Sequence, residues 1–148
     1  MSIKISIITT STNFLMTSPM SIIDGYTMFQ LEFPVKCSQK LLFNFLTTPS
    51  GLSEWFCDDV NIKGKNCEFF WDGSSQNAEI VSIKPNKSIR YKWEYMPKDC
   101  FFEFSIDTHD LSQSVSLIIT DHAEEDEVEE AKMLWETQVS KLMHCLGM

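Results

Sequence analysis

Two short stretches of the sequence combine residue types that could do acid–base chemistry. Asp58 and Asp59 are adjacent carboxylates, and His122 follows Asp121 directly. Such pairs transfer protons only when their side chains meet in one site. Because neighbouring residues on a strand point to opposite faces, Asp121 and His122 are predicted to be separated. We interpret the two adjacent carboxylates as surface acids that follow a helix, and the sequence predicts no catalytic site.

Motifs that mark common enzyme classes are absent from the sequence. It contains no GxSxG motif, P-loop, HExxH motif or dinucleotide fingerprint. Its five cysteines are odd in number and lack CxxC spacing. This usage predicts free thiols in a reducing, cytoplasmic compartment and no metal site. We therefore expect a protein that has no catalytic residues, metal or cofactor.

Composition limits the class of partner. The chain has 148 residues, of which 43% are hydrophobic, and a formal net charge of -9. A chain of this size forms one domain with a sizeable core. Binding to nucleic acid or to an anionic membrane surface needs clustered Lys and Arg. A membrane span needs about 20 consecutive apolar residues, and no such run is present. The sequence therefore predicts no nucleic acid and no membrane as partners.

The N-terminal residues differ in character from the rest of the chain. Residues 1–24 are rich in Ser, Thr and Ile. We interpret them as a tail or a start-site extension, in which the β-prone stretch Ile3–Thr9 can add a short strand. The folded domain is predicted over residues 25–148.

Hydrophobic periodicity predicts the order of elements in this domain. A strand over Phe29–Val35 precedes two short helices capped by Ser38 and Thr48, with Pro49 at the start of the second. Six strands follow in succession, and their short turns require antiparallel pairing. They are predicted at Val60–Lys63, Cys67–Trp71, Asn77–Ile83, Ile89–Tyr95, Cys100–Asp107 and Val115–Ile119. The chain ends in an amphipathic helix of about 20 residues. This pattern predicts an α+β fold, in which a curved antiparallel sheet of about six or seven strands wraps around one long C-terminal helix.

Aromatic residues concentrate on one face of the predicted sheet and on the elements that cover it. Trp55 and Phe56 end the second short helix. Rings in such positions serve as solid core or as the wall of an adaptable apolar pocket, especially beside methionines. The sequence leaves both interpretations open. The candidate ligand-binding residues are Trp55, Phe56, Phe69, Trp71, Tyr91, Trp93, Tyr95, Phe102, Phe104, Met133, Trp135 and Leu142.

Four motifs occur in an order that points to a known family. They are a short helix ending in Trp-Phe (Leu52–Phe56), an aromatic strand with an Asp-Gly turn (Phe69–Gly73), a strand ending in Trp (Ile89–Trp93) and a terminal helix with Leu134-Trp135. Over about Phe29 to Leu146, the chain resembles the START-like superfamily (SRPBCC, helix-grip fold). Within it, the chain is similar to the branch named after the activator of heat shock protein 90 ATPase. Two departures matter, since Ser74–Ala78 lacks the Gly usual after the turn and the separate N-terminal domain of the eukaryotic co-chaperone is absent. Co-chaperone activity therefore does not follow from the resemblance.

The resemblance implies a cavity between the sheet and the long helix, which many relatives use to hold apolar or amphipathic molecules. The expected function is non-enzymatic binding of such a ligand, with Arg90, His122 or tyrosine hydroxyls orienting a polar head. The alternative is a protein-interaction module with a filled core, which binds a chaperone or another protein through the acidic run Glu124–Glu130 and the outer sheet face. A homodimer formed through Phe70 and Phe101 on the outer sheet face also stays open.

Overall fold

The computed structural model describes residues 22, 23, 25–109, 111, 112 and 114–148. Its elements in chain order are β1 (Ile22–Ile23), β2 (Tyr26–Val35), α1 (Gln39–Thr47), α2 (Pro49–Trp55), β3 (Asp59–Lys63), β4 (Asn66–Trp71), β5 (Ser74–Lys84), β6 (Ser88–Trp93), β7 (Phe102–His109), β8 (Ser114–Glu124), a 3-10 turn (Glu125–Glu127) and α3 (Val128–Cys145). The strand predicted at Ile3–Thr9 lies outside the described residues, and the domain boundary at residue 24 stays a prediction.

The strands form one antiparallel sheet in the order β1-β2-β8-β7-β6-β5-β4-β3. Seven of them match the predicted strands, and the two-residue β1 extends the edge beside β2. Because β2 pairs with β8, the first and last long strands are neighbours. Helix α3 contacts β2, β8 and α2, so it lies across one face of the curved sheet. The predicted α+β helix-grip architecture is confirmed.

The two short helices begin where the sequence predicts. Oγ of Ser38 accepts the backbone N–H of Leu41 at 3.1 Å, and Oγ1 of Thr48 accepts that of Gly51 at 3.0 Å. These bonds satisfy N–H groups that a helix start leaves without partners. Pro49 occupies the first turn of α2, where its missing N–H costs nothing. The caps therefore fix the direction in which α2 carries its terminal aromatic residues.

Strand β6 is shorter than predicted. The alternating pattern predicts a strand through Tyr95, but the strand ends at Trp93. The backbone N–H of Met96 donates to the carbonyl oxygen of Trp93 at 3.2 Å, and this bond closes a turn just before Pro97. The turn takes Tyr95 out of the sheet. Alternation of aromatic and charged residues continues into the turn, so periodicity alone could not locate the end of the strand.

The sheet has an inner face, covered by α1, α2 and α3, and an outer face. Apolar residues of β2 to β8 point inward and form the core with the helices. Trp135, Val139 and Leu142 place the apolar side of α3 on this core. Gly147 has a φ of +82°, and it ends the helix in the left-handed conformation expected of a C-terminal glycine.

Candidate functional site

A continuous cluster of aromatic rings occupies the space between the inner face and α3. Phe56 lies at its centre and is 1% exposed. Its ring centroid lies 5.2 to 5.8 Å from those of Trp55, Phe69, Trp71, Phe102, Phe104 and Trp135. The rings of Trp135 and Phe102 are nearly parallel to it, at 15° and 28°. Trp135 and Phe102 also contact each other, with centroids 6.3 Å apart, so the three rings form a triangle. We call the space that the Phe56 side chain fills beside these two rings the Phe56 slot.

The structure brings together all but two of the predicted ligand-binding residues. Those buried in or beside the cluster are Trp55, Phe56, Phe69, Trp71, Tyr91, Trp93, Phe102, Phe104, Trp135 and Leu142. Tyr95 is 50% exposed and stacks on Trp93 at the rim, with centroids 5.9 Å apart. Met133 is 62% exposed. It precedes Trp135 by two residues, and about 100° per residue turns it to the far side of the helix. Placing Met133 in the site was therefore wrong.

Polar atoms of the cluster residues tie the short helices to the sheet. The indole N–H of Trp55 donates to the carbonyl oxygen of Phe45 at 2.9 Å, which joins α2 to α1. The hydroxyl of Tyr91 donates to the carbonyl oxygen of Leu46 at 2.8 Å, which joins α1 to β6. Burial raises the pKa of Tyr91 well above its usual value, so this hydroxyl stays protonated. Both donors are already used within the fold.

The backbone carbonyl oxygen of Phe56 is a fixed point beside the slot. It accepts the indole N–H of Trp71 at 2.9 Å and the side-chain N–H of Gln138 at 3.0 Å. One donor comes from β4 and the other from α3, so this carbonyl joins the sheet to the terminal helix. Both bonds hold the backbone of Phe56, so they place no restraint on its side chain.

Asp121 places a carboxyl group on the inner face, opposite Phe29 of β2. Its Oδ2 accepts the indole N–H of Trp135 at 2.8 Å, and its Oδ1 accepts the backbone N–H of His122 at 2.7 Å. Burial raises the pKa of Asp121 to about 7, against the lowering effect of these two hydrogen bonds. None of the ion pairs between described residues includes Asp121. Hydrogen bonds, rather than a cationic side chain, therefore stabilise its charged form.

Two buried amide oxygens, Oε1 of Gln138 and Oε1 of Gln76, have no hydrogen-bond partner within the described part of the chain. Gln138 is 2% exposed and lies one helical turn after Trp135. Gln76 pairs with Phe69 across β4 and β5, which places it on the inner face among the rings. Leaving a buried acceptor unpaired costs about 1–3 kcal/mol. Together with Asp121, these residues give the ring cluster three acceptor groups.

His122 and Arg90 lie on the outer face, away from the ring cluster. Nδ1 of His122 lies 2.9 Å from the carbonyl oxygen of Phe101, and the guanidinium of Arg90 lies 3.8 Å from the centroid of the Phe101 ring. Nε of Arg90 also donates to Glu103 at 2.6 Å. Burial lowers the pKa of His122. The expectation that Arg90 or His122 orients a polar head in the cavity was wrong, because strand alternation turns Asp121 inward and His122 outward.

The other candidate groups lie at the surface. Asp58 and Asp59 are exposed, and Oδ2 of Asp58 accepts the backbone N–H of Asp72 at 2.8 Å, as suits turn acids. Glu32, Asp107 and His109 offer ligand atoms within 4.8 Å of one another, but all three are exposed, and such surface groups are common without a metal. A polar groove of about 380 Å³ opens beside His109 and is lined by Cys37, Ser38, Gln39, Thr108, His109, Ser114 and Val115.

Sequence reasoning did not select Gln76, Asp121 or Gln138. The signal for Gln138 was helical spacing, since it follows Trp135 by three residues on the apolar side of α3. The signal for Asp121 was alternation, since it follows Ile119 by two residues along β8. Polar residues at positions that a periodic pattern assigns to the core are the informative exceptions. Gln76 lies near the start of β5, before the predicted strand, and offered no such signal.

A curved antiparallel sheet that packs an aromatic inner face against one long C-terminal helix defines a helix-grip binding domain. The sequence profile of the START-like superfamily domain matches residues 24–148. The chain therefore belongs to the START-like superfamily, and the resemblance found in the sequence is confirmed.

Several solved structures have the same fold. A Bacteroides fragilis protein solved by NMR is 33% identical, with 84% of this chain and 93% of that chain covered and a TM-score of 0.60. A Mesorhizobium loti protein is 20% identical, with 81% and 96% covered and a TM-score of 0.68. The Aha1 dimer from Colwellia psychrerythraea is 19% identical, with 78% and 92% covered and a TM-score of 0.66. A comparison with curated proteins found no match. In the described ranges, no helix is both long and apolar enough to cross a membrane.

Proposed function

We propose that the chain is a non-enzymatic START-like domain that binds a small amphipathic molecule between the inner face and α3. The observation that carries the proposal is the position of Gln138, whose Oε1 is buried without a partner beside the Phe56 slot. The rings offer apolar surface, and the amide oxygen offers a polar contact. A mostly apolar site with a few polar groups suits a small molecule that has both characters.

A core that serves stability alone gains nothing from the unpaired amide oxygen of Gln138. Gln138 occupies an inward position where its unpaired Oε1 costs about 1–3 kcal/mol, and Leu or Met would fill that position without this cost. Buried polar groups with perturbed pKa values concentrate at functional sites. A ligand that donates a hydrogen bond would recover this cost on binding.

Binding requires the Phe56 slot to open. The Phe56 side chain fills the space beside Trp135 and Phe102, so the body of the ligand replaces it there. Rotation of this side chain leaves the hydrogen bonds to its carbonyl oxygen intact. The ligand then packs against both rings, an arrangement that suits a single ring or a short alkyl chain.

The proposal is for binding without catalysis. Asp121 is the carboxyl group of the cluster, while the imidazole of His122 lies on the other face of the sheet. An acid–base pair needs both groups within hydrogen-bond reach of one substrate. The hydroxyl of Tyr91 is already bonded to Leu46. These positions favour a binding domain over an enzyme.

Native mass spectrometry of freshly purified protein tests the proposal, followed by denaturation to identify any molecule released. We expect an extra mass that leaves on denaturation and is reduced in Gln138→Leu. Gln30→Leu is the matched control, because Gln30 lies on the outer face and bonds to Thr120. The proposal fails if the mass is that of the chain alone and tryptophan fluorescence does not change on titration with octylamine, octanol or octanoate.

A protein-interaction module with a filled core is the second candidate, and the packing of Phe56 against six rings favours it. The partner, a chaperone or another protein, would then bind the outer face or the acidic run Glu124–Glu130. Since the Colwellia structure is a dimer, a homodimer through Phe70 and Phe101 is the first case to test. Light scattering after size exclusion at two protein concentrations decides it, and a monomer at both would exclude the homodimer.

A further inference from the structure

Acceptor atoms with free hydrogen-bonding capacity line the ring cluster. Oε1 of Gln138 and Oε1 of Gln76 are buried and lack partners among the described residues. The carboxylate of Asp121 accepts two hydrogen bonds, and two oxygens of a carboxylate can accept about four. By contrast, the indole donors of Trp71 and Trp135 are already bonded. A ligand in this site therefore gains most if its head group carries several donors.

The rings beside these acceptors also favour a cation. The Phe56 ring is nearly parallel to that of Trp135 at a centroid distance of 5.8 Å, and displacement of the Phe56 side chain would uncover part of the indole face. The same indole donates to Asp121, so the carboxylate lies at the edge of this ring. Trp is the side chain that attracts a cation most through its ring face, and desolvation strengthens that attraction.

The charge around the site is negative, which also favours a cationic ligand. Strand β8 leads from Asp121 directly into Glu124 and the acidic turn Glu125–Glu127. The described ion pairs of Lys65, Arg90 and Lys132 are with Glu79, Glu103 and Glu129, so none of these three cations neutralises Asp121. The whole chain carries a formal net charge of -9. A negative potential raises the local concentration of a cationic ligand and lowers that of an anionic one.

We infer that the head group of the ligand is a protonated amine, held by the Asp121 carboxylate and the Gln138 amide oxygen against the ring face of Trp135. This inference rests on the proposed function and specifies its ligand class. An ammonium group has three donors, which match these acceptors better than the single donor of an alcohol. A carboxylate head would meet the charge of Asp121 without any donor of its own. The apolar body of the ligand lies in the Phe56 slot.

Titration with three probes of equal chain length tests the head group. Octylamine, octanol and octanoate share one apolar body and differ in charge and donors, and isothermal calorimetry at neutral pH compares their affinities. We expect octylamine to bind at least tenfold more tightly than octanol, and octanoate to bind most weakly. Equal affinities for octylamine and octanol, or tightest binding of octanoate, would overturn the inference while the proposed function stands. If none of the three binds, the proposed function fails with it.

Variants test which residues produce the preference for octylamine over octanol. Asp121→Asn keeps the shape and one acceptor but removes the charge, and it should reduce the octylamine-to-octanol affinity ratio about tenfold. Glu79→Gln is the control, because Glu79 is exposed on the outer side of β5, and it should leave the ratio unchanged. If Asp121→Asn does not fold, Gln138→Met reports instead and should also lower the ratio. An unchanged ratio in the folded Asp121→Asn variant, or in Gln138→Met if that variant reports instead, would overturn the assignment.

Discussion

The indole N–H of Trp135 lies 2.8 Å from Oδ2 of Asp121, so a hydrogen bond inside the ring cluster joins the terminal helix to β8. The same indole stacks on Phe56 at a centroid distance of 5.8 Å. Trp135 therefore contacts both the polar and the apolar part of the proposed site. Substitutions can separate these parts, because Asp121 acts through charge and hydrogen bonding, whereas Phe56 acts through packing.

Trp135→Phe removes the hydrogen bond to Asp121 but keeps an aromatic ring. We expect the free energy of unfolding to fall by about 1–3 kcal/mol, because Asp121 stays buried after it loses a donor. In a double-mutant cycle with Asp121→Asn, the two effects should be non-additive, with a coupling of about 0.5–3 kcal/mol. Urea unfolding followed by circular dichroism measures these values. Additive effects would contradict a direct bond between the two side chains.

The stability of the protein should depend on pH through Asp121. Burial raises the pKa of Asp121 from 3.8 to about 7 in the folded state. Between these values the folded protein binds more protons than the unfolded chain, so stability falls as the pH rises from about 4 to about 7 and then levels off. Each unit of pKa difference corresponds to about 1.4 kcal/mol, so the fall is on the order of a few kcal/mol. Urea unfolding at a series of pH values measures it.

The Asp121→Asn variant isolates this dependence. Burial lowers the pKa of His122, which adds a stabilising contribution that increases as the pH rises towards 6.5 and so opposes the effect of Asp121. Tyr26 and Tyr95 are the neighbouring titratable hydroxyls, and burial raises the pKa of each above 10.0, so they stay neutral throughout. The difference in free energy of unfolding between the wild type and the Asp121→Asn variant should therefore decrease as the pH rises. A difference that does not change with pH would contradict the raised pKa of Asp121.

Periodicity in the sequence predicts most of the fold because it is a local property. The caps at Ser38 and Thr48 are each fixed within four residues, and the alternation in β6 and β7 needs no knowledge of the partner strand. The end of β6 was missed for the same reason. A turn that begins at Trp93 removes Tyr95 from the sheet, although the local alternation continues.

The candidate site was predicted in its apolar part and missed in its polar part. Rings on alternate strand positions identify an inner face, but they do not indicate whether the space beside it is filled. Whether the space is filled depends on the rotamer of Phe56. Its ring contacts that of Trp135, which lies 79 positions further along the chain. The roles of Asp121 and Gln138 also depend on long-range partners, Trp135 and the carbonyl oxygen of Phe56. Sequence spacing cannot specify such contacts.

Gly51→Ala tests the packing that places Phe56. A Cβ at residue 51 would lie 2.5 Å from the carbonyl oxygen of Asn44 and 2.6 Å from Cα of Phe45, so α2 would have to move away from α1. We expect a loss of about 1–3 kcal/mol in the free energy of unfolding, as for overpacked cores. Ser50→Ala, at the exposed preceding position, is the control and should change stability by less than about 0.5 kcal/mol. Equal unfolding midpoints for the two variants would contradict the close contact.

Phe56→Ala separates the two candidate functions. The variant loses a side chain that contacts six rings, so the free energy of unfolding should fall by about 3–5 kcal/mol. If the slot is a ligand site closed by Phe56, the variant no longer has to open it, and octylamine should bind more tightly than it binds the wild type. Calorimetry measures the affinity, and octylamine should raise the melting temperature of the variant more than that of the wild type.

Phe101→Ala is the matched control for Phe56→Ala, because Phe101 is a half-buried ring on the outer face. Phe101→Ala should lower the free energy of unfolding by less than Phe56→Ala does, and it should leave the affinity for octylamine unchanged. If Phe56→Ala folds but binds octylamine no more tightly than the wild type does, the slot is a packing position and the interaction module becomes the better proposal. If Phe101→Ala increases the affinity equally, the effect reflects general loosening of the fold rather than opening of the slot.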